Sequence, residues 1–384
     1  MKTTTLIFFL SIVISIYTAV NTYIYFRTSP IINSNPGSAL ILKSIFWAIV
    51  FAYPLGRILE RFGSNMVIDF LIRAGSIWMG FMLYLFFIFL FVDIIKLIVY
   101  LTPLHSIRIV NNSSISFLIP RIVYLVTIFL IIISFINARI PRTHQINIEV
   151  DKALDKKLRI VAVSDIHLGT VISKSRLKSL VKHINDQRAD AVFFVGDIFD
   201  EDIKPVVNNG LGDCFKRIQS RTGIYAVTGN HEFFGGVEGK VNYLKQNSVN
   251  VLRDSVVLID ETFYTIGRDD RQVKYSRGVQ RMELTTLLRN VNHEKILILL
   301  DHQPFNLNES VINGIDLQIS GHTHHGQIWP LNYITNAIYE LSSGYLKKGN
   351  THFVVSNGYG TWGPPLRLGS RPEILVIEIE SKKR

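Results

Sequence analysis

Five short clusters hold the side chains best suited to metal-assisted chemistry: Asp165-Ile166-His167, Gly196-Asp197-Ile198-Phe199-Asp200, Gly229-Asn230-His231-Glu232, Asp301-His302-Gln303-Pro304 and Gly321-His322-Thr323-His324. Singly, each has a structural explanation, since Asp and Asn cap helices, Gly makes turns and a lone His at a strand end is commonly satisfied by its neighbours. Together they form an ordered series of oxygen and imidazole donors. Asp-x-His and His-x-His pairs place alternate side chains of an extended loop toward neighbouring cations. The single cysteine, Cys214, excludes both a thiolate-rich metal site and an intramolecular disulfide. Mixed nitrogen and oxygen ligation without sulfur suits Mn first, then Zn, Fe or Co.

Each cluster follows an apolar run, which points to the elements that must position it. Leu158 to Ser164, Ala191 to Gly196, Ile224 to Thr228, Lys295 to Leu300 and Ile315 to Ser320 read as strands, with helices expected at Ser173 to Gln187 and Val237 to Gln246. Strands alternating with helices predict a layered α/β domain whose site lies on loops beyond the strand ends.

The first 142 residues have a different texture. Four apolar runs, at 6–26, 38–55, 75–101 and 118–137, are each long enough to be read as a membrane span, so a transmembrane helical domain is expected over 1–142. A linker at 143–157 and a catalytic domain at 158–384 follow. Asp93 and Lys96, three apart on one helix face, are expected to form an ion pair near a membrane interface. The formal charge of +11 is concentrated in the apolar part, where 11 Lys/Arg face 3 Asp/Glu, so it reads as topological marking and no nucleic-acid partner is expected. With an even number of spans, the excess of basic residues beside the N-terminal side, among them Arg57, Arg73, Arg139 and Arg142, predicts a cytoplasmic catalytic domain. The basic segment Lys152 to Arg159 is a candidate for attracting anionic headgroups.

The five clusters match, in full and in order, the D-x-H, G-D-x-x-D, G-N-H-[DE], lone His and G-H-x-H motifs, and on these residues the chain resembles the calcineurin-like metallophosphoesterases. The resemblance covers about residues 155 to 384. It is closer still to a membrane-linked bacterial subgroup with G-H-T-H-x-G-Q, here Gly321 to Gln327, and a Gly-rich segment, here Gly358 to Arg367 followed by Pro372-Glu373. One departure is His325, where that subgroup usually has Gly.

The resemblance implies a four-layered αββα sandwich. It also implies that Asp165, His167, Asp197 and His324 hold one metal while Asp197, Asn230, His302 and His322 hold the other. A bridging carboxylate has two oxygens to share, whereas Asn and neutral imidazole each ligate through one atom. By the same resemblance, His231 stabilises the transition state or protonates the leaving oxygen, and Asp200 orients it. Two metals about 3.5 to 4 Å apart activate a bridging hydroxide for in-line attack without a phosphoenzyme.

Placement behind membrane helices favours a phospholipid or lipid-linked phosphodiester substrate at a bacterial inner membrane. Phe233, Phe234, Trp362, Pro364, Leu366 and Leu368 are candidates for an apolar rim, and Arg367 and His325 for substrate contact. The rivals are a soluble nucleotide or cyclic-nucleotide phosphodiesterase and a non-enzymatic membrane sensor or scaffold.

Overall fold

The computed structural model describes residues 3–60, 62–63, 65–102, 113–172 and 174–382. The chain divides into two compact units, 1–136 with 363–366 and 137–362 with 367–384.

The first unit is helical: Thr3–Ile32, Pro36–Glu60, Met66–Leu101 and Ser113–Asn137. Among the described residues, three helices are long and apolar enough to cross a membrane: Pro36–Glu60, Met66–Leu101 and Phe117–Asn137. Helix Thr3–Ile32 contains the first expected span. Many large apolar side chains face outward, including Phe51, Phe70, Phe91 and Phe129. At Gly75, an added Cβ would lie 2.3 Å from the Tyr53 backbone nitrogen, so this glycine lets two helices touch backbone to backbone.

Asp93 does not pair with Lys96 as expected. Its carboxylate instead takes the Arg27 guanidinium and the Tyr23 hydroxyl from another helix. In an apolar setting a carboxylate needs several donors, and a guanidinium plus a phenol supply more than a lysine one turn away.

The second unit holds two six-stranded sheets among the described residues. Its strands are β1 (Arg142–Val150), β2 (Leu158–Val163), β3 (Ala191–Val195), β4 (Ile224–Val227), β5 (Val249–Val251), β6 (Ser255–Ile259), β7 (Phe263–Gly267), β8 (Ile296–Leu300), β9 (Leu317–Ser320), β10 (Gly344–Lys348), β11 (Thr351–Val355) and β12 (Glu373–Ser381). The first sheet runs β1-β12-β2-β3-β4-β5, the second β10-β11-β9-β8-β7-β6. Strands β2 to β5 are mutually parallel, as are β7, β8, β9 and β11.

Alternation within each strand makes the layers. Ile160, Phe193 and Val195 from the first sheet share one buried cluster with Phe263, Ile298, Leu317 and Ile319 from the second, so the sheets pack face to face. The opposite faces carry helices. Val161, Val192 and Phe194 pack under Leu177, Leu180 and Ile184 of helix Lys174–Asp186, while Leu297 and Leu299 pack under Leu284 and Leu288. The fold is therefore a four-layered α/β sandwich, with the parallel strands of both sheets bringing their carboxyl ends to one edge.

Residues 143–157 are not the simple linker expected. Strand β1 occupies most of them and pairs with β12 from Arg142–Glu373 to Val150–Ser381. Ile146, Ile148 and Val150 alternate with polar neighbours and bury themselves between the sheets, a period-two signal inside a polar stretch. The basic residues that follow have partners within the domain. Lys152 Nζ lies 2.6 Å from Asp316 Oδ2, and Lys157 and Arg159 both engage Glu378, so this segment is not a free headgroup patch.

Candidate metal centre

The first sheet contributes one part of the site through the loops after β2, β3 and β4. These present Asp165 and His167, then Asp197 and Asp200, then Asn230 and His231. The second sheet contributes His302 after β8 and His322 and His324 after β9. Asp165, His167, Asp197, His322 and His324 have φ values of 53, 50, 51, 70 and 49°. Left-handed backbone at five non-glycine positions is strain held in place by the surrounding fold, and such strain concentrates at functional sites. Gly229 is required for a different reason: a Cβ there would lie 2.1 Å from Asp197 Oδ1.

The donor atoms converge. Asp165, His167 and His324 form one group and Asp197, His302 and His322 another, with ligand atoms inside each group within 4.8 Å of one another. His167 Nε2 lies 3.1 Å from His324 Nε2, and His324 Nε2 lies 3.3 Å from Asp165 Oδ1. His302 Nε2 lies 3.1 Å from Asp197 Oδ2, and His322 Nδ1 lies 2.9 Å from Asn230 Oδ1. His167 Nε2 is 3.9 Å from Asp197 Oδ2, so Asp197 stands between the two groups.

This chemistry fits a pair of divalent cations. Asp165 and Asp197 are buried, and among the described residues neither pairs with Lys or Arg. Buried anions without a cation are costly. His302 Nδ1 faces the Val195 carbonyl at 2.7 Å and must donate to it, which leaves Nε2, buried and without a hydrogen-bond partner, turned toward Asp197. Burial pushes His167 down to about 3 and His322 to about 4, favouring neutral rings whose lone pairs are available to a cation. Burial, reinforced by Arg367, also pushes His324 well down.

Beside these groups stand His231 and Asp200, with His231 Nδ1 3.5 Å from Asp200 Oδ1. Burial works against the His231 cation, but the charge of Asp197 and the hydrogen bond to Asp200 outweigh it and raise the imidazole above its ordinary value.

A family model described as calcineurin-like phosphoesterase matches residues 158–326. An uncharacterised metallophosphoesterase of Campylobacter jejuni is 31% identical over 304 residues, covering 78% of this chain and 79% of its own length. The chain belongs to the calcineurin-like metallophosphoesterases. An uncharacterised metallophosphoesterase of Aquifex aeolicus is 31% identical over 248 residues, covering 63% of this chain and 92% of its own. A Danio rerio relative named as a transmembrane protein with a metallophosphoesterase domain is 28% identical over 341 residues, covering 83% of this chain and 77% of its own. A solved 5'-nucleotidase precursor from Thermus thermophilus superposes with a TM-score of 0.38 at 16% identity, covering 58% of this chain and 55% of that one.

In this metallophosphoesterase Arg367 is not the substrate contact expected of it. It is fully buried, and its guanidinium donates to the Asn357, Gly358 and Gly360 carbonyls, to Ser370 Oγ and, at 3.0 Å, to His324 Nδ1. The Gly-rich segment folds around this arginine, so Arg367 orients a metal-facing histidine from behind. His325 turns toward Ser342, with Nδ1 3.3 Å from its Oγ, and stands outside the converging groups. Of the expected apolar rim, Phe233 and Leu366 are core residues, whereas Phe234 and Trp362 are exposed and pack edge-on near His231.

Two supporting residues have no role in the sequence reading. The Glu232 carboxylate accepts the Asp197, Phe199 and Gly229 backbone N–H groups at 2.9, 3.0 and 2.6 Å, tying two ligand loops together. Lys240, also buried, donates to the Asp200, His231 and Phe234 carbonyls at 2.8, 2.7 and 2.8 Å. Glu232 stands inside a motif, which is a signal; Lys240 looks like any helix-surface lysine.

The site opens into a cavity of about 380 Å³ whose lining includes His167, Asp197, Asn230, His231, His322 and His324.

Proposed function

We propose that the chain is a membrane-anchored phosphodiesterase with two metal ions, acting on a phospholipid or lipid-linked phosphodiester. The observation that carries the reading is the convergence of Asp165, His167 and His324 beside Asp197, His302 and His322, of which His167, Asp197, His322 and His324 line one cavity. In this reading Asp165, His167, Asp197 and His324 hold one ion, and Asp197, Asn230, His302 and His322 the other, with Mn the preferred metal. Two bound cations supply Lewis acidity that activates water and neutralises charge on the phosphoryl oxygens.

The protein's own groups do the rest. Asp197 would be shared between the two ions, and its Oδ1 accepts the His231 backbone N–H at 2.9 Å. His231, whose protonated form Asp197 and Asp200 favour against burial, is placed to give a proton to the leaving oxygen. Arg367 packs its guanidinium against the His324 ring and so restricts its position.

Helices Pro36–Glu60, Met66–Leu101 and Phe117–Asn137 serve in the anchor, with the catalytic domain on the cytoplasmic face of a bacterial inner membrane. The excess of basic residues at Arg57, Arg73, Arg139 and Arg142 supports that orientation. The test is hydrolysis of bis(p-nitrophenyl) phosphate and p-nitrophenyl phosphate by the full-length protein with Mn, Zn, Fe or Co. Metal-dependent release of nitrophenolate, faster from the diester and abolished by chelation, is expected. Stoichiometric metal binding without hydrolysis of either compound refutes the enzymatic reading, and a C-terminal reporter found outside the cytoplasm refutes the orientation.

A further inference from the structure

One wall of the metal-centre cavity has a composition that the phosphoryl chemistry does not explain. Beyond the cluster it is lined by Gly326, Gln327, Leu331, Ile334, Thr335, Ile338, Tyr339 and Trp362, with no charged side chain among them. Three of these residues belong to the short helix Asn332–Ile338, none of whose residues is buried. Leu331, Ile334 and Ile338 stand at i, i+3 and i+7 and so share one helical face. Ile334, Ile338 and Trp362 are each 56% exposed, although the cavity is directly beside them.

Two polar side chains of the wall, Gln327 and Thr335, are already engaged. The Gln327 side chain exchanges two hydrogen bonds with the Trp362 backbone, at 2.9 and 2.8 Å, which fixes the tryptophan at the mouth. Thr335 Oγ1 donates to the Asn332 carbonyl at 3.0 Å. A sugar placed here would find few hydrogen-bond partners, and a second phosphate would find no cation among the lining residues.

We infer that this wall is a binding site for the alkyl chain of the substrate, the residues Leu331, Ile334, Ile338 and Trp362 holding the first part of the chain while its phosphoryl group meets the metal ligands. This deepens the proposed function and rests on it. Continuity decides the occupant: the apolar face and the ligands line the same cavity, so whatever fills one is joined to what meets the other. About 380 Å³ is near the lower end for ligand pockets, enough for a phosphoryl group and one chain segment, with the remainder lying along exposed Tyr333 and Ile338.

The test uses the full-length protein in lipid nanodiscs with Mn, and p-nitrophenyl ethyl phosphate against p-nitrophenyl octyl phosphate. Burial of a methylene is worth up to about fourfold in kcat/KM, so the native protein should favour the octyl ester by tenfold or more. The double variant Ile334→Asn, Ile338→Asn should cut the octyl-to-ethyl ratio at least fivefold while retaining its metal, whereas Val207→Asn, at an equally apolar exposed position off the cavity, should keep the native ratio. Hydrolysis of the ethyl ester with no chain-length preference overturns the inference and leaves the phosphoesterase reading intact. A preference that survives in the double variant assigns it to partition of the ester into the bilayer and also overturns the inference. Hydrolysis of neither ester with any of the four metals overturns both readings.

Discussion

The two sheets build their parts of the metal centre by opposite means. The loops of the first sheet are rich in carboxylates, and these are held by neutral backbone donors: Glu232 takes three N–H groups, Asp197 takes the His231 N–H, and Asp165 takes the His322 N–H at about 3 Å. The loops of the second sheet carry imidazoles: His302 gives its Nδ1–H to the Val195 carbonyl, and the His324 ring packs against the Arg367 guanidinium. N–H groups favour the charged form of the carboxylate they bind, and an imidazole that gives one N–H to a carbonyl, as His302 does, offers its other nitrogen in a set direction. The difference teaches that the anionic side sets how much positive charge the site attracts, while the imidazole side sets where that charge sits.

The sharpest way to break this contrast is at Asp197, the carboxylate between the groups. Asp197→Ala should reduce bound metal below one equivalent by elemental analysis and bring hydrolysis to background, whereas His302→Ala should retain close to one equivalent. Equal loss in the two variants would erase the distinction between the sides. His231→Ala is expected to lower kcat by about 10²- to 10⁴-fold with metal content unchanged, since it removes an acid rather than a ligand.

Smaller effects sharpen the comparison. Arg367→Met should weaken the affinity for one metal equivalent by about 10- to 100-fold in a chelator competition, leaving the other equivalent in place. Lys240→Met removes the ammonium from three carbonyls, of which that of His231 keeps the Phe234 N–H, and should lower the melting temperature by several degrees with the metal affinity of the imidazole side unaltered. Far from the site, Lys157 and Arg159 hold the Glu378 carboxyl below its ordinary value. The stability from that depression is complete above the unfolded carboxyl's pKa and is lost as pH falls through the folded one, so Glu378→Gln should flatten the acid side of a melting-temperature profile.

Much of the fold was legible because its signals are local. Apolar runs ending in Asp, His, Asn or Gly located β2, β3, β4, β8 and β9 to within a residue or two, and helix Val237–Gln246 has the bounds its pattern suggested. The converging side chains were readable for the same reason, each standing where a strand gives way to a loop. Strand β1 was missed although Ile146, Ile148 and Val150 alternate plainly, because a basic, polar stretch behind an apolar run resembles a tether. The helix Asn332–Ile338 was missed because seven residues with three apolar positions look like ordinary loop sequence until a cavity lies beside them.

The amino-acid order by itself determined which atoms are available as ligands, that sulfur plays no part in the centre, and that one third of the chain is apolar enough for a membrane, since all three follow from composition and short-range spacing. Only the tertiary structure decided the partners. Arg367 serves His324 rather than a substrate, Asp93 answers to Arg27 rather than Lys96, and Lys240 closes over the His231 loop, because each pairing joins elements far apart in the chain and depends on which donor the packed fold brings within reach of a buried charge or carbonyl.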